Sequence, residues 1–328
     1  MVIGLPALDA AVLAGTVLVA LSVDRAFGEP PVRVHPVVLM GHYLEAVGRR
    51  ISRPVGAVQR TGTEFWCGAL GWCGGVVLVV SVAAGLLVAV ENLHPGWQAL
   101  LLGLLLKPLL AWRMLRDEVR AVEAALQSSL AEGRARLAWL VSRDVNVLDA
   151  AQVRESAIET LAENLNDSVV APLFWFAVAG LPGAALYRFA NTADAMWGYQ
   201  GERQGRDWTW AGKWAARADD VLSWVPARIT AVLLAGLNGP GRAGRWRQVC
   251  AQAGLTPSPN SGWPMAAMAL ALDVRLAKPG VYTLHPAGRS PQTADTMLAL
   301  RLAGRVMGVL ALLAAAVSLG ASIKEALA

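Results

Sequence analysis

Four acidic residues recur at every fourth position of one polar stretch: Glu155, Glu159, Glu163 and Asp167. On a helix, four residues advance about 400°, so each carboxylate stands about 40° from the last and the set forms a slowly winding acidic ridge. Ile158, Leu161 and Leu165 fall on the opposite face. In an isolated amphipathic helix such a ridge is ordinarily a solvated face. Two features favour chemistry instead. Asn164, Asn166 and Asp167 run straight into an apolar segment, where unpaired polar groups are costly. Carboxylates and amides gathered there also suit Mg²⁺, a hard cation that takes oxygen ligands and often shares them with phosphate. Ser142 or Asp144 is the expected N-cap of this helix.

Other segments offer complementary groups. Asn191 and Asp194 follow the apolar segment at once, so a hairpin there would bring them back toward Asn164 and Asp167. Arg203, Arg206, Lys213 and Arg217 are candidate phosphate contacts, and Asp219 and Asp220 are further ligands or ion-pair partners. Trp208, Trp210 and Trp214 suit either a membrane-interface belt or a planar ligand. Asp24, Arg25, Glu29 and His35 lie together in DRAFGEPPVRVHP. Ser258, Asn260 and Ser261, in PSPNSGWP, form a turn whose N–H groups could face an anion, although such turn chemistry requires no function. Tyr282, His285 and Arg289 add donors downstream.

Absent motifs narrow the chemistry. There is no P-loop, HExxH, GxSxG or paired Cys/His metal pattern. Asp219-Asp220 continues as Val-Leu-Ser, so no DDxxD of Asp-rich prenyl transfer is present. Basic residues are interrupted by acids throughout, which argues against nucleic acid as a partner.

The elements that position these residues are set by composition. Of 328 residues, 55% are hydrophobic and 16% charged, against about 25% charged in ordinary soluble domains. Mean hydropathy is +0.44 and net charge +5. Three cysteines, Cys67, Cys73 and Cys250, make no disulfide framework. The pattern predicts an all-α integral membrane protein, one polytopic domain with about four transmembrane helices near residues 5–23, 68–90, 94–112 and 303–323. No Lys or Arg precedes Arg25, so the first run reads as a retained span rather than a secretory signal. The stretch 168–189 is broken by GLPG into pieces too short to cross, and is expected to be a re-entrant helical hairpin. Residues 221–237, with Arg228 at mid-length, are expected to pack against protein. Of 29 Lys and Arg, six lie in 24–66 and 21 in 113–305. The positive-inside rule then makes the segments 24–66, 113–167 and 190–302 a helical active-site region on the cytoplasmic face of the inner (plasma) membrane, with both termini outside.

Taken together, four motifs are distinctive. DRAFGEPPVRVHPVVLMG, the long run from SRDVNVLDAAQVRESAIETLAENLNDS to FANTADAMWGY, RADDVLSWVPARIT and PSPNSGWPMAAMALAL occur in this order. The sequence closely resembles the CobD/CbiB family, the adenosylcobinamide-phosphate synthases of cobalamin (vitamin B12) biosynthesis, from about Asp24 to Leu284. The resemblance implies a membrane ligase that joins a propionate of adenosylcobyric acid, a corrinoid, to the amine of (R)-1-amino-2-propanol or its O-phosphate, using ATP and Mg²⁺. On that reading Glu159, Glu163, Asp167 and Asp194 are catalytic, with Glu163, Asp167 and Asp194 as metal ligands. Arg143, Arg203, Arg206, Lys213 and Arg217 would hold phosphate, and Asn164, Asn166 and Asn191 would orient groups. Asp24, Arg25, Glu29, His35, Ser258, Asn260 and Ser261 would complete the site. Expected partners are the lipid bilayer and either a second copy or a later membrane enzyme of the pathway. A transporter and a non-catalytic scaffold are the rival readings.

The topology has a direct consequence. With Cys67, Cys73 and Cys250 replaced, a cysteine introduced at Gln200 should react with a membrane-impermeant maleimide in inverted vesicles but not in intact cells. Labelling from outside overturns the arrangement.

Overall fold

A computed structural model describes residues 8–58, 60–237 and 242–327. Apolar sequence and helical backbone coincide, and the chain resolves into two compact units, each built from separated stretches of sequence.

The first unit comprises Met1–Ala111, Ala171–Leu222 and Leu313–Ala328. Its helices are α1 (Ala10–Phe27), α2 (Pro36–Ile51), α3 (Thr61–Val90) and α4 (Pro95–Leu106). α1 lies closely along α4, Gly15 facing Ala99 and Gly103 facing Val19. The expected span 94–112 falls in a helical run, Pro95–Ser128, that is interrupted near Pro108. Its helix stops at Leu106, a tight turn covers Lys107–Leu109, and α5 (Trp112–Ser128) starts afresh after Pro108. The expected first span 5–23 is seen from Ala10 and runs on to Phe27, its residues 5–7 lying outside the described ones.

Helix α8 (Ala171–Trp197) carries the predicted break, with Ala179 and Gly180 non-helical. Gly180 has φ +62°, the left-handed region that glycine enters without strain. Beyond it the second arm folds back onto the first, so that a Cβ on Gly183 would sit 2.3 Å from the Trp175 carbonyl oxygen. Phe189 and Tyr43 close on Gly75 of α3, and Trp197 Nε1 donates to the Leu44 carbonyl at 3.1 Å. A small antiparallel sheet, in the order β1 (Arg53–Pro54), β3 (Arg206–Asp207), β2 (Glu202–Arg203), completes the unit.

The second unit comprises Trp112–Val170 and Ser223–Leu312. Here α5, α6 (Leu130–Leu137) and α11 (Gly262–Leu272) surround α7 (Ala150–Leu165), and α10 (Arg242–Ala253) packs on α11. A two-stranded hairpin, β4 (Leu276–Lys278) with β5 (Tyr282–Leu284), lies along α7. α7 is capped by Asp149 rather than Ser142 or Asp144. Asp149 accepts from Gln152 N at 2.8 Å while the Gln152 side chain accepts from Asp149 N, a reciprocal box that neither earlier residue can form. Helices α9 (Lys213–Gly236) and α12 (Thr293–Leu327) supply residues to both units. Within 221–237, Ala227, Ala231 and Leu234 are buried, whereas Val221, Trp224 and Val232 are more than half exposed.

Five described helical runs are long and apolar enough to cross a membrane: Ala10–Phe27, Thr61–Val90, Pro95–Ser128, Ala150–Trp197 and Thr293–Ala321. On α3, Leu70, Val77 and Val82 are each more than half exposed, as are Leu312 and Leu319 on α12. Apolar faces of that extent belong in lipid rather than water.

Candidate functional site

The acidic ridge of α7 is not a solvated face. Glu155 is 1% exposed and Glu159 2%, while Ile158, Leu161 and Leu165 are fully buried opposite them. Burial on every side obliges each carboxylate to find a partner inside the unit. Glu155 accepts from Arg275 Nη2 at 3.2 Å and from the Ala277 backbone N–H at 3.1 Å. Glu159 Oε2 accepts from Arg143 Nη2 at 3.2 Å, and the other arm of that guanidinium donates to Ser156 Oγ at 3.1 Å.

After Leu165 the helix widens into a π-helical turn, Asn166–Val170, a feature frequent at functional sites. The widening interrupts the α-helical angle that the four-residue spacing implies. Glu163 and Asp167 nevertheless remain close enough for their charges to act on one another. Asn166, itself buried, donates from Nδ2 to Asp167 Oδ1 at 2.8 Å and accepts from Thr230 Oγ1 at 3.1 Å. Asn164 turns back along the helix, donating to the Thr160 carbonyl at 3.0 Å.

The β4–β5 hairpin brings Tyr282, expected from the sequence only as a further donor, together with Lys278, which the sequence did not single out. Gly280, φ +72°, follows Pro279 in a tight turn closed by Val281 N donating to the Lys278 carbonyl at 2.9 Å, the type II pattern. Lys278 and Tyr282 are thereby register partners. The Tyr282 hydroxyl faces Glu159, and burial, then the Glu159 and Glu163 carboxylates, push its pKa above the usual tyrosine value. The Lys278 charge acts on both Glu159 and Glu163. For Lys278 the signal in sequence was the Lys-Pro-Gly turn, which announces a hairpin and not its direction.

In the same unit, the PSPNSGWP turn spends its N–H groups internally. Asn260 N and Ser261 N both donate to Ser258 Oγ, each at 3.2 Å, which displaces the expected anion-facing role of this turn. Asn260 Oδ1 accepts from Arg228 at 3.2 Å, and the Arg228 guanidinium lies 4.0 Å from the Trp224 ring centre and 4.5 Å from that of Trp263.

The remaining predicted residues belong to the first unit. Asp24, Glu29 and His35 do assemble there, around a residue not assigned in advance. Lys107, 3% exposed, stands 2.9 Å from Glu29 and 3.5 Å from Asp24. A lone charge in the apolar run 97–112 was its signal. His35 Nδ1 accepts from Val37 N at 3.2 Å, capping α2, which leaves Nε2 to donate to Glu29 at 3.1 Å. Arg25 is exposed at the end of α1. Asn191 and Asp194 are half-buried on α8, and Gly198 leaves room for the Asp194 carboxylate. They therefore sit in a different unit from Asn164 and Asp167, and neither unit by itself contains the expected pairing. Arg206 donates to the Ser52 carbonyl at 2.6 Å, while Arg203 and Lys213 lie 3.8 and 4.0 Å from the ring centres of Tyr199 and Trp210. Arg217 is exposed. Trp208 stacks on Trp197, and Trp214 packs edge-on against Phe65 and Trp72, so these two rings are spent on packing rather than offered to a planar ligand.

Among the described residues no three His, Cys, Asp or Glu side chains gather as a metal cage. Glu163 and Asp167 do supply a pair of neighbouring carboxylates, and Mg²⁺ is commonly held by one or two carboxylates with substrate phosphates completing its shell.

Fold and site thus define a helical membrane protein with buried, charge-matched carboxylates. The chain belongs to the CobD/CbiB family, whose model matches residues 17–317. It is similar to the probable cobalamin biosynthesis protein CobD of Methanothermobacter thermautotrophicus, 40% identical over 273 residues that cover 81% of this chain and 85% of the relative. The cobalamin biosynthesis protein CobD of Stutzerimonas stutzeri is 40% identical over 304 residues, covering 90% and 94%. The probable CobD protein of Pyrococcus furiosus is 38% identical over 288 residues, covering 88% and 92%. No solved structure matches.

The Arg143–Glu159 pair yields a stability test. Removing one partner of a buried ion pair costs about 3–5 kcal/mol, because the other charge is stranded. Arg143→Met should lower the thermal unfolding temperature markedly, and adding Glu159→Gln should recover part of the loss. Equal destabilisation of single and double variants contradicts the pairing.

Proposed function

We propose that this chain acts in cobalamin biosynthesis as an ATP-dependent amide ligase, joining a propionate of adenosylcobyric acid to (R)-1-amino-2-propanol or its O-phosphate. The observation that carries the reading is the acidic group of buried Glu159 with half-buried Glu163 and Asp167, faced by Arg143, Lys278 and Tyr282, in a chain similar over most of its length to cobalamin biosynthesis proteins.

A carboxylate does not condense with an amine in water, because its oxygen is a poor leaving group. In the proposed sequence a carboxylate oxygen attacks the γ-phosphorus of ATP and the bond to ADP breaks, giving an acyl phosphate. The amine, having lost a proton to a base, then attacks the acyl carbon, and phosphate departs with the former carboxylate oxygen. This chemistry needs cations for phosphate charge and a base for the ammonium. Glu163 and Asp167 are the residues assigned to hold Mg²⁺, which when bound would neutralise phosphate charge, and Asp194, in the first unit, keeps a separate catalytic assignment. Glu159, buried against Arg143, holds that guanidinium in place. Asn166 fixes the Asp167 carboxylate through its 2.8 Å hydrogen bond. Tyr282 stays protonated beside the acids and serves as a donor, not a base. On this proposal the reaction runs at the cytoplasmic face of the inner membrane, where ATP is available.

Glu163→Gln, Asp167→Asn and Asp194→Asn, each in folded protein, should lower amide formation from ATP, Mg²⁺ and both substrates by at least about 100-fold. Near-normal turnover in all three overturns the assignment. A scaffold would also keep partner binding without forming product.

A further inference from the structure

The hairpin β4–β5 is tied down at one edge and active at the other. Its Ala277 N–H and the preceding Arg275 are both bound to Glu155, which fixes the hairpin on α7. The Pro279-Gly280 turn then sets Lys278 opposite Tyr282. Directly opposed residues on two antiparallel strands lie side by side on one face, their Cβ atoms about 5 Å apart. An ammonium and a phenol at that separation form a two-point donor set matched to the two oxygens of one carboxylate.

The charges around them show why such a set is needed. Glu159, Glu163 and Asp167 gather three acidic groups here, and Arg143 is already committed to Glu159 and Ser156. Any carboxylate entering this group is repelled unless a further cation meets it. Arg275 is spent on Glu155 and Arg154 on Glu123. Lys278 is half-buried, enters no direct ion pair among the described residues, and acts electrostatically on Glu159 and Glu163. The geometry points to Lys278 and Tyr282 as the subsite that receives the free carboxylate of the acyl donor. This rests on the ligase reading for the identity of the donor, but the subsite is defined by binding and is separable from turnover. Lys278 supplies the charge and one oxygen contact, Tyr282 supplies the second, and the pair selects a carboxylate over its amide.

Equilibrium binding of adenosylcobyric acid and of adenosylcobinamide to the full chain in lipid nanodiscs tests this. The first ligand carries the free carboxylate, and the second has it already converted to an amide. Unmodified protein should prefer the acid by about tenfold or more, the range of one charge-assisted hydrogen bond. Lys278→Met should lose that preference while still binding the amide, Lys278→Arg should keep most of it, and Tyr282→Phe should reduce it. An acid-to-amide ratio unchanged in Lys278→Met overturns the proposal, as does unmodified protein with no preference. If Lys278→Met binds neither ligand, the Lys278→Arg and Tyr282→Phe ratios decide by the same criterion. Preferential acid binding without amide formation on adding ATP and aminopropanol phosphate would remove the ligase reading and leave the carboxylate subsite standing.

Discussion

Burial of the carboxylates on α7 is the constraint from which the second unit is built. A carboxylate withdrawn from water is tolerable only where donors surround it, and α7 buries Glu155 and Glu159 within one helical turn of each other. Each has recruited a different part of the chain. Arg143 comes from the loop before the helix, and Arg275 with the Ala277 N–H comes from the hairpin. The position of that hairpin, and therefore of Lys278 and Tyr282, follows from the need to satisfy Glu155. A structural ion pair at one acid thus aims potential substrate contacts at the next.

The first unit solves a comparable problem with the opposite charge. Lys107 is a cation in an apolar run, and Asp24 and Glu29 converge on it while His35 steadies Glu29. Here the helix itself gives way. Pro108 ends α4 just where the ammonium must turn toward its acids. The motif DRAFGEPPVRVHP is explained by this arrangement in good part without reference to a ligand. Asp24 and Glu29 neutralise Lys107, and His35 caps α2.

Much of this was legible in the sequence. Long uncharged runs have one stable solution in lipid, so the helical membrane class and the approximate spans could be read directly. The break at GLPG was equally plain, because Gly180 and Pro182 together cannot continue a regular helix. The acidic ridge was found, but its environment was not. A four-residue spacing fixes the angle between side chains and says nothing about what covers them, and the solvated reading fails because both faces of α7 are buried. Lys278, and the pairing of Tyr282 with the acids, escaped for a related reason: their approach to Glu159 and Glu163 joins residues more than a hundred positions apart and depends on a hairpin docking to a helix. The anion-facing reading of PSPNSGWP failed because Ser258 is itself the acceptor for the turn's N–H groups.

On the proposed ligase function, the acids of α7 beside a hydrogen-bond-donating phenol and the Lys278 ammonium serve to activate one carboxylate with phosphate rather than to move an ion. That is the central claim, and oxygen transfer tests it most directly. Adenosylcobyric acid labelled with ¹⁸O in its free carboxylate would be turned over with ATP, Mg²⁺ and aminopropanol phosphate by the full chain in nanodiscs. One labelled oxygen should appear in the inorganic phosphate released for each amide formed, with ADP as the other product. Amide formed with unlabelled phosphate, or with the label in AMP, contradicts the account.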